Sequence, residues 1–327
     1  MKFRNLSLVF FSIFFFLIFI EIILRSTGAS PRKNPDFIIN EPLVNIFDPV
    51  LGWAPKEGKH KFKPWSKEGK ETYLTINEDK SRFTGENDNN KKKIVFVGGS
   101  ITQGWAVNDD ETFSFLIQKK NNDYKIYNFG VGGYGGYQSL LMLEKVFKEK
   151  NKIKLVVYGL IPHHETRNVA AGSWMYLLNF FSKRGFISLP YGSIDKNNNL
   201  IKNEPIEYIT FPLGKVSALV AKIEKRIMKV RSLFREKKQT EISLAIIDEM
   251  NKLSLKNNSK FILLIFEEFY DDRSNDYYSF LKDKNIPYIK CLLPKDPKYA
   301  VIGDGHPNKL SHSEIGECIN IKLKLNN

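Results

Sequence analysis

Residues able to carry out acyl-transfer chemistry stand at three places in this sequence. Gly98-Gly99-Ser100-Ile101-Thr102 puts a serine on a turn after a short apolar run, where its N–H can face a substrate oxygen. A serine there also suits a helix N-cap. Neither phosphate-loop spacing, GxxxxGK followed by Ser or Thr nor GxGxxG, occurs at this turn. The second place is Asn128-Phe129-Gly130-Val131-Gly132-Gly133-Tyr134-Gly135-Gly136, a loop with unshielded N–H groups suited to an oxyanion. The third, Gly303-Asp304-Gly305-His306-Pro307-Asn308, offers an imidazole base and a carboxylate to orient it. His312 is a competing base, but it falls inside the last helix. His163-His164 lacks the i, i+4 spacing of a helical metal pair and has no acidic partner at a recognised spacing. On extended chain the two rings point apart, so one at most enters a site. No metal and no cofactor is expected.

These segments need a scaffold that brings them to one edge. Ile94 to Val97 is wholly apolar, as in a strand buried on both faces of a parallel sheet. Lys125–Phe129, Leu155–Leu160, Phe261–Phe266 and Ile286–Cys291 read as further strands. Glu111–Lys120, Gln138–Lys150, Leu213–Asn257 (broken near Gln239-Thr240) and Ser311–Leu325 read as helices. Strands alternating with helices predict a doubly wound α/β sheet, whose ligands gather at the carboxyl ends of the strands. Each candidate segment follows such a strand or precedes the last helix.

Upstream, Leu6–Leu24 is almost entirely Phe, Leu and Ile. About 19 residues at 1.5 Å each reach roughly 28 Å, close to the hydrocarbon thickness of a bilayer. The stretch exceeds the apolar core of a signal peptide and has only Thr27-Gly28-Ala29-Ser30 as a cleavage candidate. It reads as an uncleaved, single-pass signal anchor with a short basic cytoplasmic tail and the rest of the chain outside the cytoplasm. Glu21 falls at the interface. The expected organisation is tail and anchor over 1–25, linker and short β lead-in over 26–92, and a catalytic domain over 93–327. Within that domain, 168–260 is a longer helical insertion.

Composition narrows the function classes. Of 327 residues, 42% are hydrophobic, too many for a disordered chain. The net charge of +14 comes from scattered lysines rather than a clustered patch, which reads as a solvated surface, and no nucleic-acid partner is expected. Cys291 and Cys318 exclude a disulfide scaffold. They read as two small buried residues, with one disulfide open to them in an oxidising compartment.

Taken in order, these segments resemble the SGNH (GDSL-like) hydrolase superfamily, membrane-anchored bacterial type, over roughly Lys93 to the end. The resemblance implies a three-layer α/β/α sandwich with a central parallel sheet, flavodoxin-like, here preceded by one transmembrane helix. It implies Ser100 as nucleophile, His306 as base and Asp304 as its orienter. The oxyanion hole it implies is formed by the N–H groups of Ser100 and Gly133 and by His163, which stands where the family has an asparagine. Gly99 stands where the family has aspartate, and Asp304-Gly305-His306 is one residue shorter than the family spacing. The expected activity is ester hydrolysis or acyl transfer on O-acetyl groups of an envelope or exported glycan. The alternatives are a lipid esterase of lysophospholipase type, with Trp174–Phe186 as a lipid-facing cap, and an idle scaffold that binds glycan.

Overall fold

The computed structural model describes residues 2–32, 44–62, 70–86, 91–179 and 187–325. The chain divides into two units. The larger comprises Ile38–Ala170, Ser188–Ile206 and Arg235–Asn327, the smaller Met1–Phe37, Ala171–Ile187 and Glu207–Phe234.

The larger unit opens with two antiparallel hairpins in the stretch expected as linker. They pair β1 (Asn45–Asp48) with β2 (Gly52–Pro55), and β3 (Gly58–Phe62) with β4 (Thr72–Ile76). Trp53, Leu74 and Ile76 are buried, so these pieces pack rather than trail. The central sheet contains β5 (Lys92–Gly98), β6 (Tyr124–Gly130), β7 (Ile153–Leu160), β10 (Lys260–Ile265) and β11 (Tyr288–Lys290). All are parallel, in the order β6-β5-β7-β10-β11. The first strand goes inside and the second outside it, so the sheet reverses direction of growth between β5 and β7. The carboxyl ends at that reversal form the crevice where ligands bind in such folds.

Helices cover both faces, as all-parallel sheets require. Ile94 and Phe96 point to the side covered by α3 (Phe113–Lys120) and α10 (Lys309–Leu323), with Ile117, Ile315 and Ile319 in the same core. The other face carries α4 (Gly136–Glu149) and α8 (Gln239–Lys256). The expected three-layer sandwich is therefore present. Thr112 caps α3 by accepting from the Phe115 N–H, which starts that helix two residues later than the sequence suggested.

Several features differ from the sequence expectation or decide between its alternatives. His163 and His164 do not lie on extended chain: His163 caps the short helix α5 (His164–Asn168). A hairpin of β8 (Leu189–Ile194) and β9 (Leu200–Ile206) sits within the stretch expected to be a helical insertion, and α9 (Arg273–Asp283) follows β10. Cys291 and Cys318 form a disulfide, with Cα atoms 5.9 Å apart. It ties the end of β11 to α10.

The smaller unit contains α1 (Lys2–Ser26), α6 (Gly172–Leu178) and α7, whose helix runs Ala218–Lys237. Residues 180–186 of the suggested lipid-facing cap lie outside the described residues. Residues Asn5–Ser26 of α1 are long and apolar enough to cross a membrane. Glu21 lies near the end of that stretch and is fully engaged. Its carboxylate accepts from the N–H groups of Ala218 (2.8 Å) and Leu219 (2.9 Å), from the Ser217 hydroxyl (2.9 Å) and from Arg25 (2.7 Å). A residue of α1 thereby caps α7, supplying an anion where the helix has free N–H donors. Buried Glu224 of α7 is matched by Arg32 at 3.0 Å and accepts from the Phe211 N–H at 2.6 Å, so that carboxylate has a cationic partner.

Candidate active site

Gly98, Gly130 and Gly159 stand abreast in the register of β6, β5 and β7. Space explains the row. The four-residue helix α2 (Ser100–Gln103) lies directly on these strand ends, and a Cβ on Gly130 would come within 2.4 Å of the Gln103 N. Only a backbone without side chains lets the serine-bearing turn approach this closely.

Ser100 heads α2, so its N–H has no acceptor within the helix. Its Oγ lies 2.9 Å from His306 Nε2, and His306 Nδ1 lies 2.5 Å from Asp304 Oδ1. The fold thus brings together three residues that are 204 and 2 positions apart. Each residue of the C-terminal segment has a local task. Asp304 Oδ1 also accepts from the His306 N–H at 3.1 Å, which fixes the loop beneath the ring. Asn308 caps α10, its side chain accepting from the N–H groups of Leu310 and Ser311. The imidazole is therefore held between a carboxylate and the start of a rigid helix. With Nδ1–H donated to Asp304, Nε2 is the acceptor for the serine hydroxyl.

Two side chains join the serine turn to the glycine loop. The Asn128 amide donates to the Thr102 carbonyl (2.7 Å) and to Ser114 Oγ (2.9 Å), while its oxygen accepts from the Gly130 N–H (2.9 Å). Gln103 Oε1 accepts from the Gly132 N–H at 2.9 Å. That bond engages the Gly132 donor. Gly133, next in the loop, takes a left-handed φ of 83°.

The structure does not bring His163 to this place: its side chain is exposed at the head of α5. The imidazole beside the serine turn belongs to His164. It is buried, with Nδ1 2.7 Å from the Tyr158 hydroxyl, and among the described residues its Nε2 has no hydrogen-bond partner. Burial, with the nearby Arg167 charge, holds His164 well below the ordinary histidine range, so the ring is neutral. Arg167 donates to the Tyr134 carbonyl at 3.0 Å, and burial pushes its guanidinium down to about 10. The competing base His312 is buried in α10, stacks on Phe113 and accepts from the Phe113 N–H through Nδ1. It is a packing residue.

Two contributors escape sequence reading. Arg82 is fully buried and donates to the carbonyls of Gln103 (2.9 Å), Gly104 and Val107 (2.7 Å), clamping the chain that leaves α2. It also pairs with Asp109 at 3.2 Å, but most of its partners are backbone oxygens, which leave no pattern in a sequence. Trp105, within that clamped segment, sets its half-buried indole 6.4 Å from the His306 ring. Among the described residues there is no group of three or more His, Cys, Asp or Glu able to hold a metal ion.

No protein-family model and no curated protein matches this chain. Solved structures to which it is similar include a lipolytic G-D-S-L protein from Veillonella parvula, at 9% identity and TM-score 0.42, covering 71% of this chain and 98% of that one. TesA is similar at 16% identity and TM-score 0.40, covering 72% of this chain and all of the other. A carbohydrate esterase is similar at 12% identity and TM-score 0.40, covering 74% of this chain and 67% of that one. At such identities the chemistry of this chain is read from its own site.

Proposed function

We propose that the protein is a membrane-anchored serine esterase acting on O-acetyl groups of an envelope or exported glycan. The observation that carries this reading is the hydrogen-bonded chain from Ser100 Oγ through His306 to Asp304 Oδ1. In the proposed reaction His306 Nε2 takes the Ser100 proton as Oγ bonds to the acyl carbonyl carbon. The carbonyl electron pair moves to oxygen, and the oxyanion is held by the N–H groups of Ser100 and Gly133. When the tetrahedral intermediate collapses, the glycan oxygen leaves with the proton from His306, and the acyl group stays on Ser100. A water molecule, deprotonated by His306, then releases the acid and restores the serine. Asp304 keeps the imidazole in the working tautomer and stabilises it while charged.

Beside this machinery, the half-buried indole of Trp105 lies 6.4 Å from the His306 ring, an aromatic side chain of the kind against which the C–H face of a sugar ring stacks. That supports a glycan over a lipid as acyl acceptor or donor. The Cys291–Cys318 disulfide supports an oxidising location for the larger unit, outside the cytoplasm. The apolar span of α1 supports a single-pass anchor.

Incubation of the full chain in detergent with O-acetylated polysaccharide tests this reading, with acetate release as the readout. Release of acetate from the polysaccharide, and not of fatty acid from lysophospholipid vesicles, is expected. Fatty acid release with no acetate release contradicts the substrate assignment.

A further inference from the structure

Helix α7 has two apolar faces. One, largely apolar, is buried through Ala218, Ala221 and Met228, with Glu224 and Ser232 on the same side. The other, Leu219, Ile223, Ile227, Val230 and Phe234, recurs every three or four residues, about half a turn away. Ile223 is 43% exposed and Val230 58%, while Leu219 and Ile227 are half-buried, so this stripe is partly open. Soluble surfaces seldom present so continuous an apolar row. Lys222, Arg226 and Lys229, all exposed, line one margin of the stripe.

The position of the stripe identifies its occupant. The Glu21 carboxylate, in the last turns of the apolar helix α1, caps the first turn of α7, and Arg25 of α1 donates to the Val216 carbonyl at 2.7 Å. The loop before α7 also turns Leu213 (60% exposed) and Val216 (63%) outward. This partly open face therefore begins near the end of the apolar span. An apolar stripe with a basic margin is the pattern of a helix lying in a lipid interface, where lysine and arginine stems run along the apolar surface and their heads meet anionic phosphates.

We infer that α7 and the loop before it form an interfacial platform that lies on an anionic lipid surface, held there by the Glu21 cap. The inference rests on the reading of α1 as a membrane span. Continuity with that span and the basic margin favour lipid over a second copy of the chain.

Both native cysteines are consumed by the disulfide, so a cysteine introduced elsewhere can be labelled selectively. The full chain is reconstituted in vesicles of 30% phosphatidylglycerol and 70% phosphatidylcholine, with an environment-sensitive fluorophore at Val230→Cys, Leu213→Cys, Phe15→Cys or Lys196→Cys. Quenching by lipids carrying a nitroxide on the acyl chain is then measured at several protein densities. Labels at 230 and 213 are expected to be quenched at least threefold more than the label at 196, independently of protein density. Replacing Lys222, Arg226 and Lys229 by glutamate is expected to reduce quenching at 230 about twofold while leaving that at 15 unchanged. Quenching at 15 with none at 230 or 213 overturns the platform and leaves the span standing. No quenching at 15 overturns the span and the platform with it. Protection at 230 without lipid quenching, growing with protein density, assigns the face to a second copy and contradicts the inference.

Discussion

The imidazole of His164 occupies the space that a side chain on residue 99 would need: a Cβ on Gly99 would lie 2.8 Å from His164 Nε2 and 3.3 Å from an Arg167 nitrogen. The glycine before the serine and the histidine after β7 are thus one feature. Gly99→Asp is expected to lower activity at least 100-fold, because the turn bearing Ser100 must shift. The double variant Gly99→Asp, His164→Ala is expected to recover part of that loss, and a double-mutant cycle on ester turnover measures the coupling. Additive losses would show that the two positions are independent.

In the proposed reaction Asp304 orients rather than reacts, so its removal is expected to cost less than loss of the base. Asp304→Asn keeps the loop shape and is expected to reduce kcat by about 10²- to 10⁴-fold with KM little changed. A raised KM at unchanged kcat would place Asp304 in substrate binding instead.

The disulfide encloses the segment that carries both Asp304 and His306, since its two cysteines are 27 residues apart. Closing a loop of that length is worth about 3.5 kcal/mol in the chain-entropy account. The double variant Cys291→Ser, Cys318→Ser is expected to unfold at correspondingly lower denaturant and to lose activity before global unfolding. Denaturation curves followed in parallel with ester turnover read both effects. Unchanged stability would mean that α10 is held by its apolar face alone.

Stability should fall in mild acid. Burial, with the Arg82 and His306 charges adding to it, pushes His312 down to about 3, and burial with Arg167 lowers His164 as well. Below the ordinary value of 6.5 the unfolded chain binds a proton on each ring, whereas the folded chain does not. The stabilisation is therefore complete above that value and is lost as pH falls from about 6.5 toward 3. Burial raises Glu165, which works in the opposite sense. Denaturant midpoints are expected to drop from pH 7.5 to pH 5, less steeply in His312→Gln. A flat profile would contradict neutral burial of these rings.

How far the sequence could be read follows from where information lies along the chain. Strands such as Ile94–Val97 are apolar without interruption because helices cover both faces, and that pattern is local. The grouping of Ser100, Asp304 and His306 was legible because their turns carry glycine, proline and capping residues in a fixed order. The choice between His163 and His164 was not legible, since it depends on α5 starting at a particular residue and turning one ring inward. Arg82 was hidden because it binds carbonyls contributed by other loops. The cysteine pair was ambiguous because only the packing of α10 against the end of β11 brings the sulfurs together.

The proposed reaction requires Ser100 to be an activated nucleophile. Treatment of the full chain with a fluorophosphonate probe tests it directly, alongside Ser100→Ala and His306→Ala. Covalent labelling of the parent at Ser100 is expected, with none in the serine variant and at least a 100-fold slower reaction in the histidine variant. A folded parent that does not react, or equal labelling of all three proteins, would contradict it.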